Sequence, residues 1–488
     1  MKLRRSISIL SVAIALFAFA SFAQAEVTLP NVIGDHMVLQ QGMPAPIWGW
    51  ADKGEEVTVT FAGQTKTATA DEDGRWQVKL DALKASKEPQ TLSVAGSNTI
   101  ELKDVLVGEV WICSGQSNME WSVARSANPK EEIAAANHPN IRLFNVPGHT
   151  IASVRQEKGA GNWQACSPQT VSGFSAVGYY FGRRLQKDLD VPIGLVGSNW
   201  GGTRIEPWCS PESFSEVDEL KDIAETVAKY NKDTKLNHQQ PSAIFNSMVS
   251  PLAPFAMRGA IWYQGESNGN PNEAEAYYHK KKALVQGWRE LFNEDLGFYW
   301  VQLANFREAN DNPAGGDGYA KIRDSQRKAL DIPHTGMAVI IDIGEAKDIH
   351  PKNKQDVGDR LARYALHQTY DKMSVVPAGP LYKSHKVEDG AIRVSFDNVG
   401  GGLMVGKKEG LEPTVELPDG KLARFAIAGA DKKWVWADAK IDGGDVVVSS
   451  PEVKNPVAVR YAFSMNPAGA NLYNKEGLPA SPFRTDDW

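Results

Sequence analysis

Long apolar runs are missing from this chain of 488 residues once its first 25 are set aside. No later stretch is long and apolar enough to span a bilayer. Basic charge is not in excess either: 53 Lys and Arg face 59 Asp and Glu, a net charge of −6. A nucleic-acid role is excluded as an expectation, because gripping phosphates needs a basic face. Cysteine is scarce, with only Cys113, Cys166 and Cys209, and there are nine histidines. No CxxC, no HxxxH and no cluster of His occurs, so no metal-ligand spacing is present. Any catalysis is expected from side chains alone, with no metal and no other cofactor.

What is present begins with "MKLRRSISILSVAIALFAFASFAQA". A basic start, a short apolar centre and the small-residue end Ala23-Gln24-Ala25 describe a secretory signal peptide over residues 1–25. Loss of Lys2, Arg4 and Arg5 would leave 50 basic residues against 59 acids, a net charge near −9. The mature chain is expected to be exported, periplasmic or extracellular, with no membrane attachment after cleavage. In an oxidising compartment Cys166 and Cys209 could pair, a question that spacing leaves open.

Residues 26–105 alternate with period two. "EEVTVTFAG" puts Val57, Val59 and Phe61 on one face, "DEDG" turns the chain, and "RWQVKL" returns with Trp76, Val78 and Leu80. Such short strands between Gly and Asp turns predict a β-sandwich module. Residues 376–488 predict a second β-rich module, from "AIRVSF", "DVVVSS" and "PVAVRYAF". The middle, 106–375, alternates apolar runs with amphipathic helices. "DVLVGEVWIC", "PIGLVGS", "MRGAIWYQ", "FYWVQLAN" and "GMAVIID" read as strands, and "AVGYYFGRRLQKDL" and "KQDVGDRLARYALHQTY" read as helices. Strands buried on both faces between such helices predict a parallel sheet in an α/β core.

Ligands of such a sheet sit beyond the carboxyl ends of its strands. Four strands here are followed by polar or Gly-rich segments: "SGQSNMEW", "NWGGTRIEPW", "QGESNGN" and "IGEAKDIHPKNKQ". Together they offer a serine, paired glycines, amides and an Asp/His pair, the groups needed for acyl transfer. Singly each has a plainer reading: Ser117 as a helix N-cap, Gly201-Gly202 as a turn, Gln264 and Glu266 as partners of backbone groups. Their joint placement on one sheet edge favours the site.

The base follows by elimination. His36 and His385 fall in the β-modules, and His279 and His367 on helices. His138, His149, His238 and His334 fall in polar loops without a strand-end acid. His350 alone follows a core strand with an acid two residues before it, so it is the candidate general base. Among the candidate nucleophiles, Cys113 ends a buried run and Ser114 begins the turn. Ser117 leaves the turn into a helix whose dipole would aid its own N–H in holding an oxyanion. The context is not a Gly-x-Ser-x-Gly elbow, because Met119 stands at the second glycine position.

"GQSNMEW", "SNWGGTRIEPW", "WYQGESN" and "DIHPKNKQDVGDRLA" together resemble the sialate O-acetylesterase family, a carbohydrate-esterase branch of the SGNH (GDSL-like) hydrolases. The N-terminal "LPNVIGDHMVLQQGMPAPIWGWA" and C-terminal "GANLYNKEGLPASPFRTDDW" extend the likeness over nearly the whole mature chain. The resemblance implies a three-layer, flavodoxin-like core and metal-free removal of O-acetyl groups from sugars through an acyl-enzyme. Carried over residue by residue, it implies Ser117 as nucleophile and His350 as base. The oxyanion glycine falls within Gly201-Gly202, with Gly202 favoured. The sequence departs from the family pattern twice. "YQGESN" has Gln264 as the side-chain oxyanion donor, with Asn268 as substitute. Asp348 stands two residues before His350, with Lys347 in the expected place, which leaves open a Ser-His-Asp triad or a Ser-His dyad.

For the substrate, the sequence offers Trp121, Trp200, Trp208 and Trp262 as sugar platforms, each with core packing as the alternative. Glu266 and Asn268 are further candidate contacts. Arg204 would grip a sialic acid carboxylate, unless an ion pair with Glu206 or Glu266 holds it. The substrate reading is an acetylated carbohydrate, a sialate first and xylan or another plant polysaccharide second. A non-catalytic carbohydrate-binding protein is the rival from another class.

Overall fold

The computed structural model describes residues 26–292 and 295–488, so the expected signal peptide lies outside the described residues. The alternation seen between Glu56 and Leu80 forms strands, with Val57, Val59, Phe61, Trp76, Val78 and Leu80 all buried. Arg75–Leu80 pairs antiparallel with Ala45–Trp50, while Glu56–Phe61 pairs with Gln64–Thr69 and with Ser86–Ala95. Ser86–Ala95 then pairs with Thr99–Gly115, a strand of 17 residues. That strand leaves the N-terminal module and runs on as the centre of the core sheet. The expected border at residue 105 therefore falls inside one continuous strand.

Across the core sheet the order is Thr335–Ala338, Gly297–Val301, Gly259–Tyr263, Thr99–Gly115, Ile193–Asn199, His138–Asn145 and Trp163–Cys166. All pairings are parallel except the last, at one edge. His138, read from sequence as a loop residue, opens a strand. Neighbouring residues on a strand face opposite sides, and the packing shows both sides covered. Tyr299 stacks on Tyr364 of the helix Lys354–Tyr364, and Phe298 meets Trp288 of the helix Tyr277–Phe292. Trp111 packs against Phe181 of the helix Ala176–Leu189. This is the three-layer α/β core expected from near-continuous apolar strands. Val357, Leu361 and Tyr364, spaced to share one helix face, are all buried.

Residues 381–484 form further small antiparallel sheets, including Leu381–Glu388, Ala391–Asp397, Asp445–Ser449 and Pro456–Tyr461. Among the described residues no helix is long and apolar enough to cross a membrane. The possible Cys166–Cys209 disulfide does not form. All three cysteines are free and buried. The Cys166 thiol faces the Ala136 carbonyl, and Cys209 faces those of Ile205 and Lys280. Burial pushes Cys166 up to about 12 and Cys209 well above the usual thiol range, which makes them inert packing.

Candidate active site

The chain order places Thr99–Gly115 between two neighbours reached by crossovers in opposite directions, Ile193–Asn199 and Gly259–Tyr263. The crevice at such a reversal is where an open α/β sheet holds ligands. At its floor Gly115 adopts φ +141°, and a Cβ there would lie 2.2 Å from the Tyr263 carbonyl oxygen. Only glycine lets the strand end turn this tightly against its neighbour. Gln116 N–H donates to the same carbonyl, and Ser117 then opens the helix Ser117–Glu120.

Ser117 Oγ lies 2.9 Å from His350 Nε2. His350 comes from the segment between Thr335–Ala338 and the helix Lys354–Tyr364, so two loops far apart in sequence meet here. Asp348 Oδ1 accepts the His350 backbone N–H at 2.9 Å and lies 3.3 Å from Nδ1, a long contact for a hydrogen bond. Trp121 stacks on the imidazole, with centroids 4.4 Å apart and planes 13° from parallel. Burial lowers the basicity of His350; Asp348 opposes this, and the cations Lys354 and Arg125 add to it. The backbone N–H of His350 is the main influence holding Asp348 below the usual carboxylate range.

Across from Ser117 runs Gly201-Gly202. A Cβ on Gly201 would lie 3.2 Å from Ser117 Cβ, so the glycine permits close approach. Its N–H is taken, however, donating to Glu120 Oε2 at 2.7 Å. Gly202 adopts φ +75°. Among the described residues, neither its N–H nor that of Ser117 has an acceptor. The helix opened by Ser117 is a single turn, so the dipole expected to support an oxyanion is small. Direct N–H donation is what this corner offers.

With that geometry in hand, the family profile described as carbohydrate esterase, sialic acid-specific acetylesterase matches residues 107–367. The chain belongs to this family. The esterase is 31% identical to the sialate O-acetylesterase of Pongo abelii, over 96% of this chain and 92% of that one. It is 28% identical to that of Mus musculus, over 96% and 94%. A crystal structure of a carbohydrate acetylesterase from Xanthomonas citri aligns at TM-score 0.84 and 40% identity, covering 95% of this chain and all of that one. The protein is a carbohydrate O-deacetylating esterase, and the rival reading as a non-catalytic sugar-binding protein falls.

Several residues singled out from sequence do other work in the esterase. Gln264 is fully buried; its amide group donates to Thr203 O and Asn268 Oδ1, while its Oε1 accepts from Tyr277. No amide proton remains for an oxyanion. Asn268, also buried, serves the Ile205 N–H, Gln264 and Glu206. Arg204 is held by Glu206 and Glu273, the ion-pair alternative with Glu273 in place of Glu266. Burial alone would raise the Glu206 carboxyl, but Lys280 and Arg204 outweigh it and hold it at about 2. Trp208 and Trp262 are core, packed edge to face with each other. Trp121 has His350 on its ring and the Arg125 guanidinium 3.6 Å from its centre, and only 8% of the residue is exposed. It braces the imidazole instead of presenting a sugar platform. Trp200 is half-buried, stacked by His149 and by His238.

Those two histidines, set aside in the sequence, flank the site, and His149 Nε2 lies 3.0 Å from Glu120. Gln116, Asn118, Glu120 and Lys354 were also missed. For the first three the signal lay in the segment of Ser117 itself: Gln116, Asn118 and Glu120 of "GQSNME" recur at every second position around it. Gln116 Oε1 accepts, at long range, from the Gly265 and Ser267 N–H groups, and Glu120 holds Gly201. Glu266, expected at the substrate, instead receives the Asn118 amide at 2.6 Å.

Proposed function

We propose that this esterase removes O-acetyl groups from sialic acids through an acyl-enzyme on Ser117. The 2.9 Å contact between Ser117 Oγ and His350 Nε2 carries the reading. Neutral His350 takes the hydroxyl proton as Oγ attacks the acetyl carbonyl carbon. The carbonyl electron pair moves to oxygen, and the N–H groups of Ser117 and Gly202 hold the resulting charge. His350 returns its proton to the departing sugar oxygen, leaving acetyl-Ser117. Water, activated by the same imidazole, attacks the acyl carbon and releases acetate and free Ser117. Asp348 orients the ring from the Nδ1 side.

Two observations support a sialate in place of a neutral sugar. The relatives above carry that substrate in their names. Arg125 is exposed, lies over Trp121 beside His350, and has no acidic partner among the described residues. It is the free guanidinium near the base, and its planar fork suits a carboxylate. We place the activity outside the cytoplasm, on the strength of the leader pattern in residues 1–25.

Acetate release from O-acetylated sialate and acetylated xylose tests both parts. Ser117→Ala is expected to lose activity on both by at least about 10⁴-fold. Arg125→Ala is expected to lose roughly tenfold or more on the sialate and little on the xylose. Wild-type rates in Ser117→Ala would remove the nucleophile assignment. Equal losses for Arg125→Ala on the two sugars would remove the sialate preference.

A further inference from the structure

We propose that Asn118, held by buried Lys354 and Glu266, is the positioning residue that keeps Ser117 and His350 at reacting distance. The inference rests on the Ser117–His350 reading above.

Asn118 follows the nucleophile directly and is 1% exposed. Its amide donates to the carbonyl of Ile349, the residue before the base, at 3.0 Å. The same nitrogen donates to Glu266 Oε1 at 2.6 Å. Its oxygen accepts from Lys354 Nζ at 2.5 Å. One neutral side chain thus ties the neighbour of each reacting residue to the other. It also links the ends of Thr99–Gly115 and Gly259–Tyr263 to the helix Lys354–Tyr364. Only a carboxamide has donors and acceptor so arranged. Aspartate would set a second negative charge against Glu266, and leucine would strip both Glu266 and Lys354 of a buried partner.

The cluster is enclosed. Lys354 is fully buried, 5.1 Å from the Tyr263 ring, and Glu266 Oε2 has no hydrogen-bond partner among the described residues. Burial pulls Lys354 down to about 7 and raises the Glu266 carboxyl. The charged groups facing Lys354 are Glu266, Asp348 and Glu345, and those facing His350 are Asp348, Lys354 and Arg125. A positive Lys354 disfavours protonation of His350. Removing that charge raises the basicity of His350 and moves the acid limb of kcat/KM to higher pH. A residue serving only the stability of the fold would leave that limb in place.

The experiment is steady-state kinetics on a chromogenic acetyl ester with Asn118→Ala, Asn118→Ser, Lys354→Met and Ser117→Ala, each melted to confirm folding. For Asn118→Ala, kcat is expected to fall about 10²-fold with KM nearly unchanged, the loss typical of a misplaced reacting pair. Asn118→Ser keeps one donor and should fall between, which preserves the test should the alanine variant not fold. Lys354→Met is expected to move the acid limb up by about half a pH unit or more. Wild-type kcat in either folded Asn118 variant, or an unmoved limb in folded Lys354→Met, would overturn the inference. An active Ser117→Ala enzyme would instead remove the reading on which it rests.

Discussion

Asp348 touches His350 at two points, yet 35% of its side chain is exposed and Lys352 Nζ lies 3.9 Å from its other oxygen. Water screens such a carboxylate, and its backbone tie to His350 would survive as a hydrogen bond in an asparagine. Asp348→Asn is therefore expected to lose about tenfold in kcat/KM, well short of the ~10⁴ lost when a buried triad acid is amidated. A loss near 10⁴ would make Asp348 a full partner. The sign of the pH dependence follows from the base. In the proposed mechanism His350 acts when neutral, and its basicity is lowered by burial and by Lys354 and Arg125, with Asp348 opposing. The acid limb of kcat/KM should thus lie below pH 6.5, the ordinary value, and Asp348→Asn should move it lower still. At this scale the sequence offered the serine and the imidazole, because each ends a strand-loop segment with a recognisable pattern. It misplaced Gln264 and Trp121, whose partners Thr203, Tyr277 and His350 come from elsewhere in the chain.

At the scale of elements, the end of Thr99–Gly115 is the hinge on which the site depends. Gly115 combines φ +141° with backbone contact too close for any side chain. Gly115→Ala should cost roughly 1–3 kcal/mol from the dihedral alone, with more from the displaced Tyr263 carbonyl. The expected result is a lowered Tm together with kcat reduced beyond the loss of folded protein, measured by thermal melt and active-site titration. A variant that melts and turns over as wild type would show that the turn tolerates a Cβ. Strand and helix periods were legible because burial on both faces leaves little room for polar residues. The single-turn length of Ser117–Glu120 was not legible, since its end is set by contacts of Trp121 with His350 and of Glu120 with Gly201, both distant in sequence.

For the whole molecule, the shared strand makes the N-terminal module part of the scaffold. Leu102 and Val105 pack in the module's sheet, while Val110 and Ile112 pack in the core, all on one unbroken backbone. A chain begun at residue 106 would strip Leu106, Val107 and Gly108 of their Val38–Gln40 partners and leave an unpaired strand edge prone to aggregation. Expression of residues 106–488 is expected to give insoluble or molten protein. A soluble fragment with a cooperative melt and esterase activity would show that the core stands alone.

The sequence by itself determined the alternation of strands and helices, the two β-rich flanks and the four segments that meet at the site, because these follow from local periodicity and from residues adjacent along the chain. The tertiary structure alone decided that the cysteines stay apart, that Gln264 and Arg204 are engaged elsewhere, and that Asn118 reaches Ile349 and Lys354. Those outcomes depend on which hydrogen-bond or charge partner the fold brings within about 3 Å, and no local pattern carries that distance.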